Sequence, residues 1–131
     1  MQFMLMLKGD PARNPPPTPE LYAAIGKLTE EMIKSGILVQ TGGMQGSSGI
    51  TSVKLAGGKV SVTDGPFAES KEVTGGFAII DVESREKAIE LAREFLEIHG
   101  KIMGRSYEME SEVRQMFPAT EFTQKAAEAR A

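Results

Sequence analysis

The densest group of residues able to do chemistry is Asp64-Gly65-Pro66-Phe67, followed at once by Glu69-Ser70-Lys71-Glu72. A carboxylate on a backbone that Pro66 fixes and Gly65 leaves open to close approach suits a general base or a ligand acceptor. The same four residues also make a turn, in which the Asp64 carboxylate accepts from a nearby backbone N–H such as that of Phe67. Glu69 or Glu72 stands close enough to share acid and base roles with Asp64, and Lys71 to hold an anion. The other reading of that mixed-charge run is a solvated connection.

A second group lies near the C-terminus, where Glu108, Glu110, Glu112 and Arg114 alternate with Tyr107, Met109, Ser111 and Val113. On a strand of period two the charged set shares one face, so Glu112 is a third catalytic candidate and Arg114 is placed to bind a carboxylate through two parallel N–H bonds. Equally, these charges belong on an edge strand, where they block pairing with other chains. Arg13 sits in Asp10-Pro11-Ala12-Arg13-Asn14-Pro15-Pro16-Pro17-Thr18-Pro19, which reads as a lid over a ligand, a polyproline spacer or a partner-binding strip. Gly42-Gly43-Met44-Gln45-Gly46-Ser47-Ser48-Gly49 matches neither the P-loop nor the dinucleotide pattern and reads as a loop. The single histidine, His99, is predicted to close a helix, where an imidazolium favours the negative helix end; alone it makes a poor metal site, so no metal or cofactor is expected.

These residues need elements to position them. Phe3 to Leu7 alternates as a strand apolar on both faces, and Gly75 to Val82 repeats the character, which suggests two central strands. Thr18 as N-cap, Pro19 at the first helical position and Leu21, Ala24, Ile25, Leu28 and Met32 at helical spacing predict a helix that ends before Gly36. Ile37 to Thr41 reads as a strand. Thr51 to Ala56 and Lys59 to Thr63 read as the arms of a hairpin turned by Gly57-Gly58. Ser84 caps a second predicted helix whose apolar face is Ala88, Ile89, Ala92, Phe95 and Leu96, with Gly100 as its end. Residues 118–131 form an Ala- and Glu-rich tail, predicted as a short helix.

The order β-α-β-(hairpin)-β-α-β predicts an α+β fold of ferredoxin-like form, with both helices on one face of an antiparallel sheet. Two helices cover one face while the central strands are apolar on both, so a second copy is expected to cover the other, giving a homodimer.

Composition narrows the function. The chain has 131 residues, a formal net charge of −3, and 15 basic residues scattered among 18 acidic ones, so no cationic stripe offers binding to nucleic acid. Zero cysteines exclude disulfides and thiolate nucleophiles, and one histidine without a nucleophile-elbow pattern excludes a convincing Ser/His/Asp arrangement. The apolar run at Met1 to Leu7 is far short of the roughly 18 residues of a membrane span, which leads to the expectation of a cytoplasmic protein without a membrane partner.

The stretch Val62 to Phe77, with Asp64-Gly65-Pro66-Phe67 at its centre, then Asp81-Val82-Glu83-Ser84, Lys87-Ala88-Ile89-Glu90 and Glu112-Val113-Arg114-Gln115, resembles the YCII-related, DGPF-domain family across residues 1–117. The resemblance implies a dimeric α/β-barrel of ferredoxin-like subunits. For activity it implies a His-Asp site and lyase-like chemistry on aromatic compounds in the wider group, and for some members a link to sigma factors. This sequence departs from the His-Asp pattern, because His99 has no counterpart in the first helix. Two functions follow as expectations. The first is a small-molecule site, for an anionic ligand among others, in a dimer cleft bounded by the DGPF segment and the first and last strands, with Asp64, Glu69 and Glu112 as acid–base candidates and Pro66, Phe67, Lys71, Arg114 and Arg13 as ligand contacts. The second is a non-catalytic module that binds a sigma factor or related protein through the proline-rich loop or the tail.

Overall fold

In a computed structural model the described residues are 1–10, 12–44, 49–65 and 73–131. They form six strands and three helices in the order β1 (Gln2–Gly9), α1 (Pro19–Lys34), β2 (Leu38–Gly43), β3 (Thr51–Ala56), β4 (Lys59–Asp64), β5 (Val73–Asp81), α2 (Arg85–Met103), β6 (Met109–Met116) and α3 (Thr120–Arg130). Four strands make an antiparallel sheet in the order β2-β5-β1-β6, and β3 and β4 make a separate two-stranded sheet. The architecture is α+β with antiparallel sheets, and among the described residues neither sheet closes into a barrel.

The two central strands are the pair expected from their apolar character. In β1 the residues Phe3, Leu5 and Leu7 lie opposite Ile80, Ala78 and Gly76 of β5 on one side, and opposite Gln115, Val113 and Ser111 of β6 on the other. Because side chains alternate across a sheet, this set shares one face. On it α2 packs Ala88, Leu91 and Ala92 against Phe3, Leu5, Ile80 and Val82, and Met32, Ile37, Leu38, Ala78 and Val113 fill the margins. Phe3 and Ile80 are fully buried. Met4 and Met6 point to the face away from the helices, beside Ile79 and Phe77.

Local signals set the helix ends. Thr18 has extended backbone and its Oγ1 accepts from the Leu21 N–H at 3.2 Å, while Ser84 does the same for Lys87 at 3.1 Å. Each satisfies a donor that has no partner within the helix. Two sequence expectations for α2 are corrected. The helix does not end at Gly100 but runs to Met103, where Gly104, at φ 94°, takes the terminal position and donates to the Gly100 carbonyl at 3.1 Å. A glycine inside a helix costs only about 1 kcal/mol relative to alanine, which packing of the flanking turns outweighs. Its buried stripe is also rotated: Leu91 is 8% exposed and Ile89 is 40% exposed.

The hairpin matches its predicted arms and turn, with Gly57 and Gly58 both at positive φ. Its strands are exposed throughout and pair extensively only with each other. The helix α3 forms within the tail and buries no residue. No helix among the described residues is long and apolar enough to cross a membrane.

Candidate functional site

The end of β1, the start of β6, the C-terminal half of α2 and the proline-rich loop enclose a cleft of about 550 Å³. Leu7, Met109 and Phe95 give it apolar walls, Pro16 and Pro17 form one rim, and Met44 and Gly75 form another. His99 and Tyr107 are its ring-bearing polar residues.

His99 reaches this place because α2 continues past it. Ala88, Ala92, Phe95 and His99 fall at successive helical returns on the buried side, and His99 is 7% exposed. The expectation that it caps the helix end is therefore corrected: it lies within the helix, under cover. Its Nδ1 is 2.9 Å from the Phe95 carbonyl. A carbonyl only accepts, so Nδ1 carries the proton, and in the neutral ring Nε2 is left as the acceptor. Nε2 has no protein hydrogen-bond partner among the described residues. The ring is held between two others, with centroids 4.6 Å from Phe95 and 5.9 Å from Tyr107. Burial raises the Tyr107 pKa, which keeps its phenol protonated at neutral pH.

The proline-rich loop is tied down as a wall of this cleft. The Asn14 Nδ2 donates to the Glu108 carbonyl at 2.7 Å, and the Glu108 N–H donates to Asn14 Oδ1 at 3.1 Å, so one side chain pairs with the backbone just before β6 as a strand would. Asp10 turns the chain before it, its carbonyl accepting from the Arg13 and Asn14 N–H groups and its carboxylate from that of Ala12. Arg13 pairs with Glu108 at 3.6 Å, both side chains largely exposed. It borders a neighbouring, more polar depression with Asp10, Glu108 and Glu110.

The candidates expected from the sequence fall elsewhere. Asp64 ends β4, where its Oδ1 accepts from the Thr51 hydroxyl at 2.8 Å and the next N–H, that of Gly65, donates to the Ile50 carbonyl at 2.7 Å. This is the last rung of the hairpin, and Asp64 does not line the cleft. Glu112 lies on the sheet face away from the helices, where it accepts from Lys8 at 2.9 Å and from Arg114. Lys8 first, then Arg114, lowers its pKa. A carboxylate so stabilised is a poor base, and Arg114 already has a carboxylate partner. Pro66, Phe67, Glu69 and Lys71 lie outside the described residues. Asp64 and Glu112 are thus not brought together. Among the described residues no three His, Asp or Glu side chains gather as a metal ion would need.

Sequence reasoning missed His99, Tyr107, Phe95 and Asn14. The stripe Ala88-Ala92-Phe95-His99 was the available signal, since a histidine that continues an apolar stripe is buried with it. Nothing local marks Asn14, whose partner is 94 positions away.

Residues 1–96 match the family model of the YCII-related domain. The chain belongs to the YCII-related domain family. An uncharacterized protein of Rhizobium meliloti (strain 1021) is 29% identical over 70 residues, which are 53% of this chain and 56% of that protein. The chain therefore spans about half the length of the curated relative it matches. Within this YCII-family chain the cleft draws Leu7, Asn14 and Phe95 from the matched span, and His99, Tyr107 and Met109 from beyond it.

Proposed function

We propose that this YCII-family protein binds a small molecule in the cleft at the end of β1, with His99 Nε2 as the group that accepts its hydrogen bond or proton. The carrying observation is the Nδ1 contact to the Phe95 carbonyl, which fixes the tautomer and leaves Nε2 as the acceptor on a buried ring. The apolar walls favour a ligand with an apolar body, and the protonated Tyr107 phenol supplies a donor near the same ring. Any acid–base step in this cleft falls to His99 and Tyr107 rather than to Asp64 or Glu112.

The test is calorimetric titration with a panel of small hydroxyl- and carboxylate-bearing compounds, on the wild type and on His99→Leu. The variant replaces an imidazole packed against aromatic rings with an apolar side chain of similar reach, so cooperative melting is expected to persist. Binding of at least one compound, weakened tenfold or more in His99→Leu, is the expected result. If no compound binds the wild type, or the variant binds equally well, the reading fails.

A different observation, the apolar sheet face away from the helices, supports a paired assembly. Two ferredoxin-like units pairing sheet to sheet would cover Met4, Met6, Phe77 and Ile79, which the helices leave half-exposed, and would make a dimeric α/β-barrel. Sedimentation equilibrium at tens of micromolar is expected to give about twice the 14.2 kDa chain mass, and a single-chain mass would overturn the dimer. The alternative, a regulatory module docking a sigma factor, finds support in the exposed tail, where Phe122 is 79% exposed. It requires such a factor to co-purify with the full chain and to be lost on removing residues 118–131.

A further inference from the structure

Behind the cleft, between the sheet and the two helices, lies an inner cavity of about 140 Å³. Leu7 and Phe95 line both spaces, so the two spaces adjoin at these side chains. Most of the inner lining is apolar, including Leu5, Leu28 and Leu91. Its polar hydroxyls are of two kinds. Thr29 donates to the Ile25 carbonyl at 2.8 Å and Thr41 to the Phe77 carbonyl at 2.8 Å. Ser111 Oγ, by contrast, is buried and has no partner among the described residues.

A buried hydroxyl without a partner is uncommon in a folded protein and calls for an explanation. Ser111 is held in place by its register on β6, directly opposite Leu7 of β1, on the face toward the helices. It lies two residues beyond Met109, which lines the outer cleft, and a strand advances about 3.4 Å per residue, so the two positions are roughly 7 Å apart. An apolar cavity of about 150 Å³ holds a six-carbon guest such as benzene, and this one is of similar size.

We propose that the ligand is an elongated molecule, polar at both ends and apolar between. Its outer polar group meets His99 Nε2, its middle passes between Leu7 and Phe95, and its inner oxygen exchanges a hydrogen bond with Ser111 Oγ. The ligand class is a chain of about six carbons oxygenated at both ends. This inference rests on the cleft being a binding site. It adds the direction in which the ligand lies, its length and the residue that reads its far end.

The experiment compares hexan-1-ol with hexane-1,6-diol, and the butane and octane homologues of each, by ligand-observed NMR titration on the wild type and Ser111→Ala. Removing a hydroxyl that has no protein partner is expected to leave the melting temperature unchanged or raised, which confirms that the variant folds. In the wild type the six-carbon diol is expected to bind about five- to tenfold more tightly than the alcohol, the worth of one added hydrogen bond. That preference is expected to vanish in Ser111→Ala while the alcohol still binds. Equal binding of diol and alcohol to the wild type, as when only a water occupies the inner cavity, overturns the inference and leaves the outer cleft standing. A diol preference that survives Ser111→Ala does the same. Failure of both series to bind the wild type overturns the inference together with the cleft.

Discussion

At Glu112 the Lys8 ammonium and the Arg114 guanidinium together hold the carboxyl below the ordinary carboxylate range. A group whose folded pKa is depressed stabilises the fold above its unfolded value, about 4.3 for glutamate, and loses that contribution as pH falls through the folded value. Glu112→Gln removes the titrating group, so the variant is expected to be less stable than the wild type at pH 7, with the difference shrinking below about pH 4. Urea midpoints at pH 7, 5 and 3 measure this, and a difference that stays constant across the three would rule out the ion pairs as its source. Charge type alone made Glu112 and Arg114 good candidates for chemistry, because a sequence shows which residues share a strand face but not that they have already neutralised one another. His99 shows the reverse: its type was visible, its burial followed from the stripe it continues, and only the Phe95 carbonyl reveals which nitrogen is left to work.

For α2, the boundaries set by side-chain chemistry were legible and those set by packing were not. Ser84 announces the start because its hydroxyl serves the Lys87 N–H, a contact confined to four residues. The end at Gly104 rather than Gly100 depends on what the last turn packs against, and so does the choice between Ile89 and Leu91 for the core. With 3.6 residues per turn, each residue advances about 100°, so Ile89 and Leu91 flank the shared Ala88-Ala92-Phe95 line on opposite sides, and the sheet decides between them. Leu91→Ala is therefore expected to cost about 2–4 kcal/mol, the range for deleting a buried leucine, and Ile89→Ala under about 1 kcal/mol. Chemical denaturation of the two variants distinguishes them, and a larger cost for Ile89→Ala than for Leu91→Ala would mean that the helix is turned the other way. For the proline-rich loop, composition allowed a lid, whereas the paired hydrogen bonds of Asn14 to Glu108 make it a fixed wall.

Across the molecule the order of elements and the pairing of β1 with β5 followed from two apolar runs and two capped helices, each readable within a short window. The cleft was not readable in that way. Its walls come from β1, the loop, α2 and β6, segments brought together by chain reversals, so no spacing along the sequence records it. Asp64, which opens the most recognisable local pattern, ends the second arm of a hairpin. That hairpin places Val53 beside Val62 and Leu55 beside Val60, all about two-thirds exposed or more, and among the described residues its ladder is shared with no other strand. Opening it breaks nothing in the four-stranded sheet. Its amides are accordingly expected to exchange with deuterium through a local opening that costs far less than global unfolding, while those of β1, flanked by β5 and β6, wait for the whole sheet to separate. Native-state exchange read by mass spectrometry tests this directly. Equal protection of the two sheets would mean that another chain grips the hairpin in solution; unequal protection would show that it opens as a cooperative unit of its own.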